Sequence, residues 1–191
     1  MSEAPKGYDP DQAPLADAGL FGLPFSPEEA ALVVCPVPWD VTTSYRPGTA
    51  QAPESIRRAS HQLDLFDTET GEPWKKGIAM LPISSETLEK NATLRSQAQE
   101  IIDLGGRIEG NAKLKSSLEQ INDACAGLNG SVFETVNHWR KKGKVVGLLG
   151  GDHSIPFGAI QSLAQEFDSF GILHVDAHAD LRPAYDGFTW S

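Results

Sequence analysis

Two apolar runs, Lys144-Val-Val-Gly-Leu-Leu-Gly150 and Phe170-Gly-Ile-Leu-His-Val-Asp-Ala-His178, decide the fold class of this sequence. Each run predicts a short strand, and the residues between them, 155 to 167, predict a helix. Strand, helix and strand with short connections form a βαβ unit, which implies a parallel sheet with helices on its faces. We therefore predict an α/β fold with three layers, α/β/α, around a mainly parallel sheet.

Earlier segments extend the same pattern. Ala31-Leu-Val-Val-Cys-Pro-Val-Pro38 is an apolar run closed by prolines, which is typical of a buried parallel strand. Gly77-Ile-Ala-Met-Leu-Pro-Ile83 is a second strand candidate. Residues 52 to 63 predict a helix with proline in its first turn. Residues 84 to 113 are mixed and polar, and Gly105-Gly106 marks a break there.

One apolar stripe precedes the strand at Lys144 and predicts a long helix. Its members recur at spacings of three and four: Leu114, Leu118, Ile121, Cys125, Leu128, Val132, Val136 and Trp139. We expect this helix to pack on the sheet, with a coiled-coil partner surface as the alternative. Gly127 and Gly130 weaken its middle and leave open a division into two helices. Lys141-Lys-Gly143 predicts its end.

The chain has 191 residues, which is the size of one domain with a single core. Residues 1 to 28 are rich in Pro, Gly, Asp and Ala and show no period, so we predict an extended N-terminal arm there. Such an arm either joins subunits together or is disordered. Residues 29 to 191 are then predicted to form the α/β domain.

Charge and terminal composition exclude several classes of function. The formal net charge of -10 argues against binding nucleic acid or an anionic membrane, since both need a basic face. No apolar run approaches the roughly 20 residues that span a bilayer. The N-terminal residues lack the basic start and apolar stretch of a secretory signal. We expect a cytoplasmic protein in which Cys35 and Cys125 are reduced thiols.

The segment His174-Val-Asp-Ala-His-Ala-Asp180 carries the most specific chemistry. Side chains alternate along a strand, so Asp176, His178 and Asp180 can face the same way, roughly 6.5 to 7 Å apart. Ligands of open α/β sheets bind at the carboxyl ends of strands, where this segment lies. His174 is in phase with these residues but deeper in the strand, so we expect it to be a hydrogen-bonded core residue.

A divalent cation would offset the cost of placing two carboxylates and an imidazole together. Carboxylate and imidazole ligands without thiolates suit Mn, Fe, Ni or Zn. The alternative is a solvated strand end, in which the carboxylates cap the following loop. The sequence therefore favours a metal site at this strand end.

The segment Gly150-Gly-Asp-His-Ser154 ends the preceding strand. Its two glycines allow a sharp turn, and Ser154 can cap the helix that follows. The turn would place His153 at the same sheet edge as Asp176, and Asp152 could orient a metal ligand. Taken alone, the segment also fits a plain strand-to-helix turn.

Together these two motifs resemble the ureohydrolase family of arginases and agmatinases. Its members carry Gly-Gly-Asp-His after one strand and Asp-Ala-His-x-Asp after the next. Residues 38 to 57 also look like the family's entry loop and first helix. The matching positions are Asp40, Ser44, Arg46, Gly48, Pro53, Ile56 and Arg57. Ala52 departs from the Gly usual there, and the segment between residues 57 and 150 is longer than in short agmatinases.

The resemblance implies an arginase-like fold and a set of site residues. The implied metal ligands are His153, Asp176, His178 and Asp180, with Asp176 bridging two ions. Asp180 is also implied as a catalytic residue and Ser191 as a substrate-binding one. The implied cofactor is two Mn²⁺ ions, with Ni²⁺ as the alternative. The implied reaction hydrolyses a small agmatine-like guanidino substrate to urea and an amine, and a full-length member is implied to form a homo-oligomer, a trimer or hexamer.

The sequence departs from the family pattern after Asp180. The family adds an Asp-x-Asp motif on a later strand and a His directly after the position of Ser191, and neither is present. We therefore expect a fold truncated after the strand at Asp176 to Asp180, and a chain with little activity alone. The alternatives are a guanidine hydrolase of the same family, a related hydrolase such as a deacetylase, or a non-catalytic fragment that binds a full-length homologue.

Overall fold

The sheet of this protein is parallel and has β1 at its centre. A computed structural model describes residues 7–15, 17–181 and 183–191. The described strands, in the spatial order β2-β1-β3, are β1 (Leu32–Pro36), β2 (Ile78–Met80) and β3 (Val145–Leu149). Val33 lies opposite Ala79 of β2 and Val146 of β3, and both pairings are parallel. The predicted α/β fold class and these three predicted strands are confirmed.

Helices connect and cover the strands. The α-helices are α1 (Ala52–Ser60), α2 (Ser85–Ile102), α3 (Ala112–Lys141) and α4 (Phe157–Glu166). Short 3-10 helices cover Leu20–Gly22, Thr49–Gln51 and Pro73–Lys76. The mixed, polar pattern of residues 84 to 113 did not reveal α2, which fills most of that span. Its buried face includes the polar residues Asn91 and Arg95, which hide the apolar period of a helix.

Helix α3 runs unbroken through Gly127 and Gly130, so the division into two helices does not occur. The Asn111 side chain caps its start by accepting a hydrogen bond from the Leu114 amide at 3.2 Å. The helix packs on β1 and β3, as predicted, and also on α2 and α4. Helix α4 approaches so closely that a Cβ at Gly158 would lie 2.2 Å from the backbone oxygen of Asn129.

The core lies between the sheet and the helices, and β1 supplies its centre. It also includes a residue from the end of the chain, Phe188, which is fully buried. Cys35 and Cys125 are free and buried, and burial raises the pKa of each thiol to about 11. Within the described ranges, no helix combines the length and apolar character needed to cross a membrane.

Part of the N-terminal segment packs on α1. Leu20 and Leu23 are buried. The Phe21 amide donates to Ser60 Oγ at 2.8 Å, and Arg57 donates to the Ala18 oxygen at 2.7 Å. The division of the chain into an arm, residues 1 to 28, and a domain, residues 29 to 191, stays a prediction.

The predicted strand over residues 170 to 178 is wrong for this structure. These residues form no strand, and Leu173 and Val175 are 91% and 88% exposed. A strand needs a neighbour for its backbone hydrogen bonds, and no described segment supplies one. The predicted βαβ unit therefore ends after α4, and residues 167 to 181 continue as an exposed segment.

Candidate metal centre

The turn after β3 is fixed by close contact with the chain that leaves β1. Gly150 and Gly151 have φ values of 87° and 80°, a left-handed conformation that favours glycine. A Cβ at Gly151 would lie 2.7 Å from the Val37 oxygen, so a larger residue would not fit. The Asp152 amide donates to the Trp39 oxygen at 2.7 Å. This turn leaves the following residue, His153, exposed.

Asp152 points into the turn. Its carboxylate accepts hydrogen bonds from the Ser154 amide at 3.0 Å, from Ser154 Oγ at 2.5 Å and from Thr42 Oγ1 at 3.2 Å. Burial raises the pKa of Asp152, although these hydrogen bonds oppose the shift. Asp152 therefore holds the loop on which His153 stands.

Four side chains meet beside this turn: His153, His174, Asp176 and Asp180. Each offers one nitrogen or oxygen atom, and the four atoms lie within 4.8 Å of one another. The Asp180 carboxylate is 3.3 Å from His153 Nδ1 and 3.4 Å from His174 Nε2. Asp176 Oδ2 is 3.6 Å and 4.0 Å from the same two nitrogens. We call these four residues the carboxylate–imidazole cluster.

The cluster fits a divalent ion in both chemistry and spacing. Donor atoms around a tetrahedral ion lie about 3.4 Å apart when each metal–ligand distance is roughly 2.1 Å. The nitrogen–oxygen distances of the cluster, 3.3 to 4.0 Å, are close to that value. Two imidazoles and two carboxylates suit Mn, Fe, Ni or Zn. The residues present therefore suit a metal ion.

His174 and His178 occupy different places from those expected. His174 is exposed in the cluster, so its predicted core role is wrong, because the segment that carries it is not a buried strand. His178 lies outside the cluster, with Nδ1 3.2 Å from Asp176 Oδ1 and a side chain that is 81% exposed. The backbone bends here: the His178 amide donates to Asp176 Oδ1 at 2.8 Å, and Asp180 has a φ of 50°.

The pKa of Asp176 is lowered chiefly by the hydrogen bond from the His178 amide. The nearby His178, His153 and His174 side chains lower it further. The Asp176 carboxylate is therefore held in its charged form, which is the form that binds a cation.

The structure brings together His153, Asp176 and Asp180 of the predicted ligands, and places His178 against Asp176. Ser191 is exposed, and its amide donates to the Phe188 oxygen at 3.3 Å. The roles of Asp180 in catalysis, of Ser191 in substrate binding and of His178 as a ligand stay predictions.

Two cavities in the described part of the chain, of about 140 and 270 Å³, adjoin α2, α3 and the end of β1, and no cluster residue lines them.

A buried network that the sequence did not reveal supports the loop after β1. Asp40 is buried and accepts hydrogen bonds from the Gly48 amide at 2.6 Å, the Ala50 amide at 3.1 Å and Asn91 Nδ2 at 2.9 Å. Burial alone would raise the pKa of Asp40, but these hydrogen bonds and the charge of Arg95 lower it. Only the four-residue spacing of Asn91 and Arg95 hinted that both face the core.

Arg95 completes the network from α2. Its guanidinium donates to the Val41 oxygen at 3.1 Å, to the Thr43 oxygen and to Gln99 Oε1. Burial lowers the pKa of Arg95, while Asp40 and Asp152 oppose that shift. The loop after β1, which Thr42 joins to Asp152, is therefore tied to the turn that carries His153.

The described residues thus combine a parallel α/β sheet with a carboxylate–imidazole cluster, which could hold a divalent ion, beyond the carboxyl end of one strand. The model of the arginase family matches residues 30–191, and the chain belongs to that family. The resemblance drawn from the sequence motifs is confirmed.

The chain is similar in sequence to several named hydrolases. It is 33% identical over 174 residues to N(1)-aminopropylagmatine ureohydrolase of Thermus thermophilus, covering 90% of this chain and 48% of that protein. It is 28% identical over 185 residues to the mitochondrial guanidino acid hydrolase of Homo sapiens, with coverage of 94% and 44%. The chain thus spans about half the length of the curated relatives it matches.

A solved structure supports the fold. The agmatine ureohydrolase of Thermoplasma volcanium superposes with a TM-score of 0.55 at 24% sequence identity. The match covers 93% of this chain and 47% of that one. The α/β architecture of this chain is therefore that of an arginase-family structure.

Proposed function

We propose that this chain provides metal-binding residues of a ureohydrolase that hydrolyses an agmatine-like guanidino compound to urea and an amine. The observation that carries the proposal is the carboxylate–imidazole cluster in a chain of the arginase family. The names of the relatives support the substrate class, since they include enzymes for aminopropylagmatine, guanidino acids and agmatine.

The proposed cofactor is a pair of Mn²⁺ ions, with Ni²⁺ as the alternative. The two oxygens of Asp176 face different partners, which supports its proposed role as the bridge. Oδ2 faces His153 and His174 in the cluster, whereas Oδ1 faces His178. The cluster residues would hold one ion, and Asp176 and His178 would contribute to holding a second.

The residues of the chain would prepare the reaction in two ways, and a bound ion would contribute a third effect. His153 and His174 supply imidazole nitrogens, and Asp176 supplies a carboxylate whose lowered pKa keeps it charged. The net charge of -10 would also attract the guanidinium cation of the substrate. A bound divalent ion supplies a Lewis acid that lowers the pKa of water.

The metal site is tested first. We expect the 191-residue chain to bind Mn²⁺ in equilibrium dialysis. Asp176→Asn should lose most of this binding, because Asp176 lies beside His153 and His174 on one side and beside His178 on the other. The family resemblance implies His178 as a ligand, whereas the cluster contains His174 instead. His174→Ala distinguishes these two alternatives, because it should weaken binding if the cluster is the site. His138→Ala is the matched control, because His138 is exposed on α3. Unchanged binding in Asp176→Asn would contradict the site.

Substrate and reaction are tested by urea release from agmatine, aminopropylagmatine, guanidino acids and guanidine. We expect Mn²⁺-dependent release from agmatine-like compounds that Asp176→Asn abolishes. The rate should lie far below a typical enzyme turnover of about 10 per second, because the side chains of the cluster are exposed to water. Preference for guanidine would favour the guanidine hydrolase, and metal binding without any urea would favour a non-catalytic role.

A further inference from the structure

We propose that Asn122 of α3 is a positioning residue for the metal centre, because it fixes the far end of the loop that carries Asp176 and Asp180. It acts on residues 185 to 190, which we call the anchor segment. The inference rests on the proposed function, since it assumes that the cluster binds a metal ion.

Asn122 holds two residues of the anchor segment with one amide group. Its Nδ2 donates to the Gly187 oxygen at 3.1 Å, and its Oδ1 accepts from the Thr189 amide at 2.9 Å. The residue between them, Phe188, turns inward and is fully buried. The side chain of Asn122 therefore fixes both the position and the direction of the backbone around Phe188.

Close packing supports the same segment on either side. Gly187 has a φ of 88°, and a Cβ there would lie 2.7 Å from Leu118 Cδ2 of α3. The Trp190 ring lies 4.8 Å from the ring of Phe157, the first residue of α4. The anchor segment is thus fixed between α3 and the beginning of α4, which is the helix that follows His153.

The loop before the anchor segment has little support of its own. Residues 171 to 181 are exposed and form no strand, although they carry His174, Asp176 and Asp180. The loop leaves α4 at Glu166 and returns to the body at Tyr185. Bringing a chain segment to a fixed point costs less entropy when both of its ends are held. Releasing the anchor would turn the loop into a tail and weaken the meeting of Asp176 and Asp180 with His153.

The test compares Asn122→Leu, which removes both hydrogen bonds at similar size, with Asn122→Asp, which keeps the acceptor for the Thr189 amide. Asn137→Leu on the same helix is the matched control. Mn²⁺ affinity of the 191-residue chain is measured by electron paramagnetic resonance, and the ligand geometry by the visible spectrum of bound Co²⁺. Amide hydrogen exchange of residues 185 to 191 reports the anchor itself.

We expect Asn122→Leu to raise the dissociation constant for Mn²⁺ by about tenfold, the lower end of the effect of residues that orient metal ligands. It should also change the Co²⁺ spectrum and accelerate exchange in the anchor segment. Asn122→Asp should have a smaller effect and Asn137→Leu none. If Asn122→Leu fails to fold, Asn122→Asp carries the same comparison.

Two negative results can be told apart. Faster exchange in the anchor segment with unchanged Mn²⁺ affinity and Co²⁺ spectrum would overturn the positioning role and leave the metal centre intact. An unaltered chain that binds neither ion would refute the metal centre, and the positioning role with it.

Discussion

At the scale of single residues, Asp40 shows how a buried charge can organise a loop. Its carboxylate accepts two backbone amides and one side-chain amide, while Arg95 lies close enough to favour the charged form. Hydrogen bonds to a charged group contribute more than neutral ones, and an unmatched donor in the core is costly. The loop after β1 therefore depends on one ionised carboxyl group.

We expect Asp40→Asn to lower the free energy of unfolding at pH 7 by about 2 kcal/mol. The folded pKa of Asp40 lies below its ordinary value of 3.8. Its carboxylate therefore stabilises the fold above that pH, and this stabilisation is lost as the pH falls through the folded pKa. Urea unfolding from pH 7 to pH 3 should show the difference between the two proteins shrinking in acid.

The control for this substitution is Asp123→Asn, an exposed position on α3. It should change the free energy of unfolding little at any pH. An Asp40→Asn protein whose deficit is as large at pH 3 as at pH 7 would show that the charge of Asp40 is not the cause.

Site residues that belong to a sequence motif were predictable. Site residues that are placed by the local bend of the backbone were not. The two motifs marked His153, Asp176 and Asp180, which the structure brings together. The depth of His174 in the predicted strand wrongly placed it in the core, because the segment bends instead of pairing with a neighbour. Asn122 carried no signal in the sequence, since its contact with the anchor segment spans more than sixty residues of chain.

At the scale of elements, predictability followed the composition of the buried face. The apolar runs of β1 and β3 and the apolar stripe of α3 were each recognised, because both strands and the buried face of α3 are almost entirely apolar in sequence. Helix α2 was missed, because Asn91 and Arg95 interrupt its buried face for the sake of the loop after β1. The polar residues that hid this helix are those that support the site.

The crossing of α3 and α4 offers a test of packing between elements. Gly158→Ala would place a methyl group 2.2 Å from the Asn129 oxygen, so the two helices would have to separate. We expect it to lower the free energy of unfolding by about 1 to 3 kcal/mol, as overpacking does. Thermal and urea unfolding measure the change.

Gly127→Ala is the matched control for this substitution. Nothing lies within 4 Å of a Cβ at Gly127, in the middle of α3. Alanine should therefore stabilise the protein by up to about 1 kcal/mol through helix propensity. Equal effects of the two substitutions would show that the close crossing at Gly158 does not limit the packing of α4.

At the scale of the whole molecule, the proposed metal centre joins the turn after β3 to an exposed segment. His153 stands on a turn that is fixed by the exits of β1 and β3, whereas the other three cluster residues lie on the exposed segment. A metal ion bound by both parts would therefore link them. It follows that metal binding should order residues 171 to 181 more than any part of the sheet.

The exposed segment should also make the chain associate with itself. Leu173, Val175 and Leu181 are each 88% or more exposed, and contiguous exposed apolar residues with unpaired backbone favour association. We expect the average mass in sedimentation velocity to rise with concentration, and Leu173→Lys with Val175→Lys to reduce that rise, because charge opposes strand pairing. Leu15→Lys, at a position 76% exposed in the N-terminal segment, should leave it unchanged. An equal reduction by Leu15→Lys would assign the effect to net charge instead of to this segment.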